Sequence, residues 1–127
     1  MKACYAIALS AAAGVVIGAA AVQTLHAQAK PPIFMVAINE ITSEEGYTKE
    51  YLPEARKAIK DYGGIYIAAG PAQQIAGNLP NGRVVILKWE SMEALMKWRN
   101  SPEYQATLKK GEKYAKYNII GVDGVQP

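Results

Sequence analysis

The apolar positions of this chain fall into two regimes. Residues 3 to 22 form an almost unbroken block of Ala, Val, Ile, Leu and Gly, and after Lys30 come shorter runs punctuated by Ser, Pro and Gly. Ile33 to Ile41 (IFMVAINEI) is β-rich and predicts a first strand. Thr42 and Glu45 have the spacing of a capping box, so a helix is expected from about residue 43. Tyr47, Tyr51, Ala55, Ile59 and Tyr62 recur mostly at i, i+4 and paint one apolar stripe along it. Pro53 cannot donate to the carbonyl four residues back, which predicts a kink or short break. Gly63-Gly64 ends the helix, since glycine takes the left-handed cap conformation without steric cost.

Ile65 to Ala69 (IYIAA) predicts a second strand, followed by a loop from Gly70-Pro71 to Asn81-Gly82, and Arg83 to Trp89 (RVVILKW) a third. Ser91 then caps a helix with Met92, Leu95, Met96 and Trp98 or Arg99 on its inner side. Ser101-Pro102-Glu103 places a capping hydroxyl, a proline at the first helical position and an acid in the first turn, so a further helical segment starts there, anchored by Tyr104 and Leu108. Residues 117 to 122 (YNIIGV) predict the last strand, and residues 123 to 127 a loose tail. The order β-α-β-β-α-β predicts an α+β, ferredoxin-like fold with an antiparallel sheet.

The strands lack the alternation of a half-solvated sheet. Ile33 to Ile38 and Val84 to Leu87 are apolar throughout, and Ile65 to Ala69 carries no charge. Both sheet faces therefore call for cover, while the helices of one short domain can cover one. The economical solution is a second copy packed sheet to sheet, which predicts a homodimer whose two sheets form an α/β barrel.

The N-terminal block changes the chemistry that is available. Met1-Lys2, the apolar run and Ala27-Gln28-Ala29 read as a secretory signal peptide over residues 1–29, cleaved before Lys30. The rival is an uncleaved anchor, since about 20 apolar residues can cross a bilayer. Its Ala and Gly content gives little transfer free energy, so a periplasmic or secreted protein, residues 30–127 as a single domain with no stable membrane span, is expected. The only cysteine (Cys4) and the only histidine (His26) lie in this leader. Cleavage removes every mechanism that needs a thiol nucleophile, an imidazole base or a His/Cys metal cage.

What remains is sparse in catalytic chemistry. Ser43, Ser91 and Ser101 all stand at expected helix starts, and without histidine none has an activating base. Glu44, Glu45, Glu50 and Glu54 fall on exposed helix positions; Glu40 and Glu90, at strand ends, are the carboxylates to watch. No metal site and no bound cofactor are expected, because no oxygen cage or phosphate-cradling glycine loop is present and Gly63-Gly64 follows a helix. The balance of 14 Lys and Arg against 11 Asp and Glu, with Lys109, Lys110, Lys113 and Lys116 at a helix end, predicts no nucleic-acid partner. Tyrosine and tryptophan stand out instead. Tyr47, Tyr51, Trp98 and Tyr104 are candidates to surround a small apolar or aromatic molecule between sheet and helices, with Arg83, Arg99 and Asn100 to orient it. Plain core packing is the competing reading of the same aromatics.

The stretch VVILKWESMEALMKWRNSPEYQ, residues 84 to 105, together with Tyr47, Tyr51 and Tyr62-Gly63-Gly64, resembles the domain of unknown function family 1330, part of the dimeric α/β-barrel superfamily. The resemblance spans nearly all of the chain after the leader. It implies the ferredoxin-like barrel and little about activity. Relatives commonly carry Arg-Gly-Gly where this chain has Ala69-Gly70-Pro71, and a tyrosine where it has Arg99, so Arg99 is a candidate to supply the missing charge from another element. The expected function is a non-catalytic small-molecule-binding or structural module, the alternative a cofactor-independent enzyme, monooxygenase- or isomerase-like, on a small aromatic or apolar substrate.

Overall fold

Ile33–Ile41 forms β1, and its burial alternates along the strand: Ile33, Met35, Ala37 and Asn39 are buried on one face, while Phe34, Val36, Ile38 and Glu40 are half-buried on the other. The structure, a computed structural model, describes residues 30–79 and 82–126. The leader with Cys4 and His26 and the Asn81 end of the long loop lie outside the described residues.

The first helix opens as α1 (Glu44–Gly46), widens into a π-helical turn (Tyr47–Tyr51) and continues as α2 (Leu52–Asp61). Its cap is Ser43, whose hydroxyl accepts from the Gly46 amide, and not Thr42, whose hydroxyl donates to the Tyr114 carbonyl at 3.0 Å. Pro53 does not break the helix. It stands in the first turn of α2, where proline is tolerated, directly after the wide turn in which the Leu52 amide reaches back to the Tyr47 carbonyl. At the far end Gly63 takes φ +93°, and the Gly64 and Gly63 amides close on the carbonyls of Ile59 and Lys60, a Schellman exit.

β2 (Ile65–Pro71) runs two residues beyond the expected strand, β3 (Arg83–Trp89) matches its expected bounds, and β4 (Ala115–Asp123) starts two residues early because Ala115 pairs with Ile41. The sheet is antiparallel with order β2-β3-β1-β4, the ferredoxin-like arrangement. Between β3 and β4 lie α3 (Met92–Arg99) and α4 (Pro102–Gly111). Leu95 and Trp98 are the buried residues of α3, whereas Met92 and Met96, expected inside, are exposed, because so short a helix turns only one narrow stripe inward. Among the described residues no helix is long and apolar enough to cross a membrane.

The helices of the described residues pack on the sheet face that carries Met35, Ala37, Val85, Leu87 and Trp89, and the core lies there. The opposite face is mainly apolar and contributes nothing to that core: Phe34, Val36, Ile38, Val84 and Ile86 are half-buried, Ile65, Ile120 and Val122 are more than half exposed, and Lys88, Asn118 and Glu40 interrupt it.

Ser101 joins the two helical segments. Its hydroxyl donates to the Trp98 carbonyl at 2.7 Å and accepts from the Tyr104 amide at 3.2 Å, all out of water. Ser101→Ala is expected to lower stability by about 1–2 kcal/mol in urea denaturation, more than Ser43→Ala, whose cap bond is longer and more exposed.

Candidate functional site

Strand register sets the floor of the site. Asn39 pairs with Arg83 on one side and Tyr117 on the other, so these residues form a polar row across three strands at one end of an otherwise apolar face. The roof comes from the first helix, whose wide turn aims both Tyr47 and Tyr51 inward with ring centroids 5.2 Å apart. Tyr104 from α4 and Trp98 from α3 close one side, with their ring centroids 4.1 Å apart. Arg56 and Tyr66, both exposed, form the mouth with Leu52 and Arg83. The cavity is about 30 Å³, more than one water needs and too little for a ring.

The polar groups around it are incompletely satisfied. Asn39 donates through Nδ2 to the Tyr47 hydroxyl at 3.0 Å, and the Tyr51 and Tyr104 hydroxyls share a 2.8 Å hydrogen bond. Asn39 Oδ1, Arg83 Nε, Trp98 Nε1 and the Tyr117 hydroxyl are buried without a hydrogen-bond partner. Buried polar atoms are paired in the great majority of cases, so four such atoms around one cavity are unusual.

Burial pushes the hydroxyl pKa of Tyr47, Tyr51, Tyr104 and Tyr117 above the ordinary tyrosine value. The charges of Arg83 and Arg56 pull Tyr47 back in part. At neutral pH these side chains are therefore protonated hydrogen-bonding groups and not phenolate bases.

Of the residues singled out in the sequence, Tyr47, Tyr51, Arg83, Trp98 and Tyr104 line this cavity. Arg99 stands behind it: Nη1 donates to the Tyr104 hydroxyl at 3.4 Å and the guanidinium lies 5.4 Å from the Tyr104 ring centre. Asn100 is exposed at the end of α3, away from the cavity, because the helix exit turns it to solvent. Glu40 is on the opposite sheet face, where it accepts from Asn118, and Glu90 is exposed. Asn39, Arg56, Tyr66 and Tyr117 also line the cavity, beyond the residues the sequence points to. The parity of β1 carries a signal for Asn39, since it extends the buried series Ile33, Met35, Ala37. Among the described residues no group of three or more His, Cys, Asp or Glu side chains is placed to hold a metal ion.

The sequence profile of the family described as Domain of unknown function (DUF1330) matches residues 32–125. Comparison with curated proteins returns no match. Among solved structures, the fold is similar to that of a protein of unknown function from Rhodopseudomonas palustris, at 16% identity and a TM-score of 0.65 over 84% of this chain and 93% of that one. It is also similar to SnoaB, a cofactor-independent oxygenase from Streptomyces nogalater, at 11% identity and a TM-score of 0.51 over 76% of this chain and 96% of that one. A dabb family protein with a ferredoxin-like fold from Mesorhizobium loti gives 12% identity and a TM-score of 0.51, over 76% and 100%. Likeness at this level of identity carries the fold and not the chemistry.

Proposed function

The chain belongs to the DUF1330 family, whose description assigns no activity, and from that premise we propose that it is an exported homodimer that binds a small molecule between sheet and helices without turning it over. The observation that carries the binding half is the set of partnerless polar atoms of Asn39, Arg83, Trp98 and Tyr117 around one cavity. Each costs about 1–3 kcal/mol while unpaired, and a ligand with matching groups recovers that. The dimer half is supported by the second sheet face, where Phe34, Val36, Ile38, Ile86, Ile120 and Val122 form an apolar surface that, among the described residues, no helix covers. A second copy offers the same surface and so a self-complementary partner. Export is supported by the apolar leader and its Ala27-Gln28-Ala29 exit.

A turnover reading, as a cofactor-free oxygenase or isomerase, needs a base at the ligand. The cavity lining contains no Asp, Glu, Lys or His, and its tyrosines are held in the protonated form. Binding is therefore favoured over catalysis.

Native mass spectrometry of the protein purified from the cell envelope tests both halves. The expected result is a two-chain species that begins at Lys30 and carries a reproducible small adduct. Two bare chains would overturn the binding half, and a single bare chain would overturn both.

A further inference from the structure

Resting on that reading of the cavity, we propose that the ligand is a small planar carboxylate, its charged group held by Arg83 and Arg56 and its apolar body lying in the mouth against Tyr66 and Leu52. Charge makes the first argument. The cavity is lined by two arginines and no acid. The ion pairs among the described residues join Lys49 to Glu45, Lys57 to Asp61 and Lys110 to Glu54, so neither arginine has a protein carboxylate of its own. Glu44 shares a neighbouring surface groove with Arg83 yet forms no ion pair with it. A guanidinium with no protein carboxylate beside it can take one from a ligand, because its planar fork of N–H donors matches two carboxylate oxygens.

Direction makes the second. Arg83 sits on the helix-facing side of β3, opposite Asn39, and its Nε is buried and without a partner. Trp98 Nε1 and the Tyr117 hydroxyl add donors around the same space. Rotation of the Asn39 amide would let the Tyr47 hydroxyl donate to Oδ1 and turn Nδ2 inward as a further donor. Donors thus outnumber acceptors, as an anion requires and a cation would not tolerate.

Size makes the third. About 30 Å³ admits a carboxylate-sized group and little more. The remainder of the ligand must then lie at the mouth against Arg56 and Tyr66, which are both exposed and whose mutual contact it would have to displace. Arginine and tyrosine on either side of a slot suit a flat ring through stacking and cation–π contact.

The test is a matched pair of probes, benzoate and the neutral benzamide of the same shape, titrated against the purified protein by tryptophan fluorescence at fixed salt. Benzoate is expected to bind about tenfold tighter than benzamide. Arg83→Gln should abolish that preference with benzamide binding little changed, and Arg83→Lys should restore part of it. Arg56→Gln, at the exposed mouth, should weaken the preference without lowering the melting temperature. Equal binding of both probes to the wild type would overturn the carboxylate proposal and leave the cavity as a binding site. Equal loss of both in Arg83→Gln, with the fold intact by circular dichroism, would overturn the role given to Arg83. No binding of either probe at millimolar concentration would overturn the proposal and the cavity reading together.

Discussion

Replacing Trp98 by alanine is expected to destabilise the protein by about 3–5 kcal/mol, the range for deleting a large buried aromatic side chain. Trp98 is 1% exposed, its ring centre lies 5.2 Å from that of Trp89 and 4.1 Å from that of Tyr104, and it is one of the largest side chains in the core. It is also the wall between two spaces, since it lines both the tyrosine cavity and the surface groove beneath Met92, Met96 and Ile120. Truncation would therefore open the cavity to solvent at its closed end as well as remove contacts. For a domain of this size the shift in melting temperature is roughly 15–30 °C, at fixed protein concentration so that any assembly does not confound it. Trp98→Phe separates packing from the indole N–H. Phenylalanine refills part of the hole and removes a buried donor that has no partner, so it is expected to lose about 1–2 kcal/mol. Urea denaturation followed by far-UV circular dichroism reads both variants. A loss below about 1.5 kcal/mol for Trp98→Ala would mean that α3 collapses into the gap, and would remove Trp98 as the keystone of the site.

The parts of this fold that were legible in the sequence are those fixed by neighbours in the chain. Ser91 and Ser101 cap the helices they precede, Gly63-Gly64 ends the first, and the unbroken apolar runs of β1 and β3 mark strands with one face on the helices and one bare. The aromatic half of the cavity was legible for the same reason, because Tyr47 and Tyr51 lie on one helical stripe and Trp98 and Tyr104 flank the Ser101 cap. What local pattern did not supply is long-range pairing. Nothing near Asn39 announces that register will set it between Arg83 and Tyr117, and nothing near Arg56 or Tyr66 announces a shared mouth. Arg99 and Asn100 adjoin Trp98 in sequence, yet α3 turns Asn100 outward and leaves Arg99 to brace Tyr104 from behind. The positive charge at the cavity comes instead from α2 and from the start of β3. The Ala69-Gly70-Pro71 segment brings no arginine of its own, and Arg83 is paired with its Pro71 across β2 and β3.

Raising the pH beyond 10 is expected to unfold the protein in one cooperative step, because its buried tyrosines resist ionisation. Tyr47, Tyr51 and Tyr104 are 2%, 6% and 1% exposed, and burial is the largest cause of the upward shift of each hydroxyl from the ordinary value of 10.0. The folded state thus favours the protonated form. Their contribution to stability is complete below the unfolded pKa near 10 and is lost as pH rises from there toward the folded values. Each such group removes up to about 1.4 kcal/mol per pH unit in that window, so three together remove about 4 kcal/mol per unit. Against a typical total of about 5–15 kcal/mol, a loss at that rate is enough to place unfolding on the alkaline side of pH 10. Tyr62 and Tyr114 should behave differently. Each donates to a carboxylate, Glu103 and Glu50 respectively, at the surface, and it is chiefly that bond that raises the hydroxyl. They are expected to ionise without loss of structure. Tyrosinate absorbance and far-UV circular dichroism recorded in one titration would show a first, silent rise and then a second that coincides with loss of ellipticity. Phenylalanine at Tyr51, which removes a titrating hydroxyl while keeping the ring, should move the structural transition to higher pH and leave the silent phase in place. A gradual titration of all tyrosines with unchanged ellipticity would mean that the cavity admits hydroxide freely, and would contradict the closed, protonated site on which the binding reading depends.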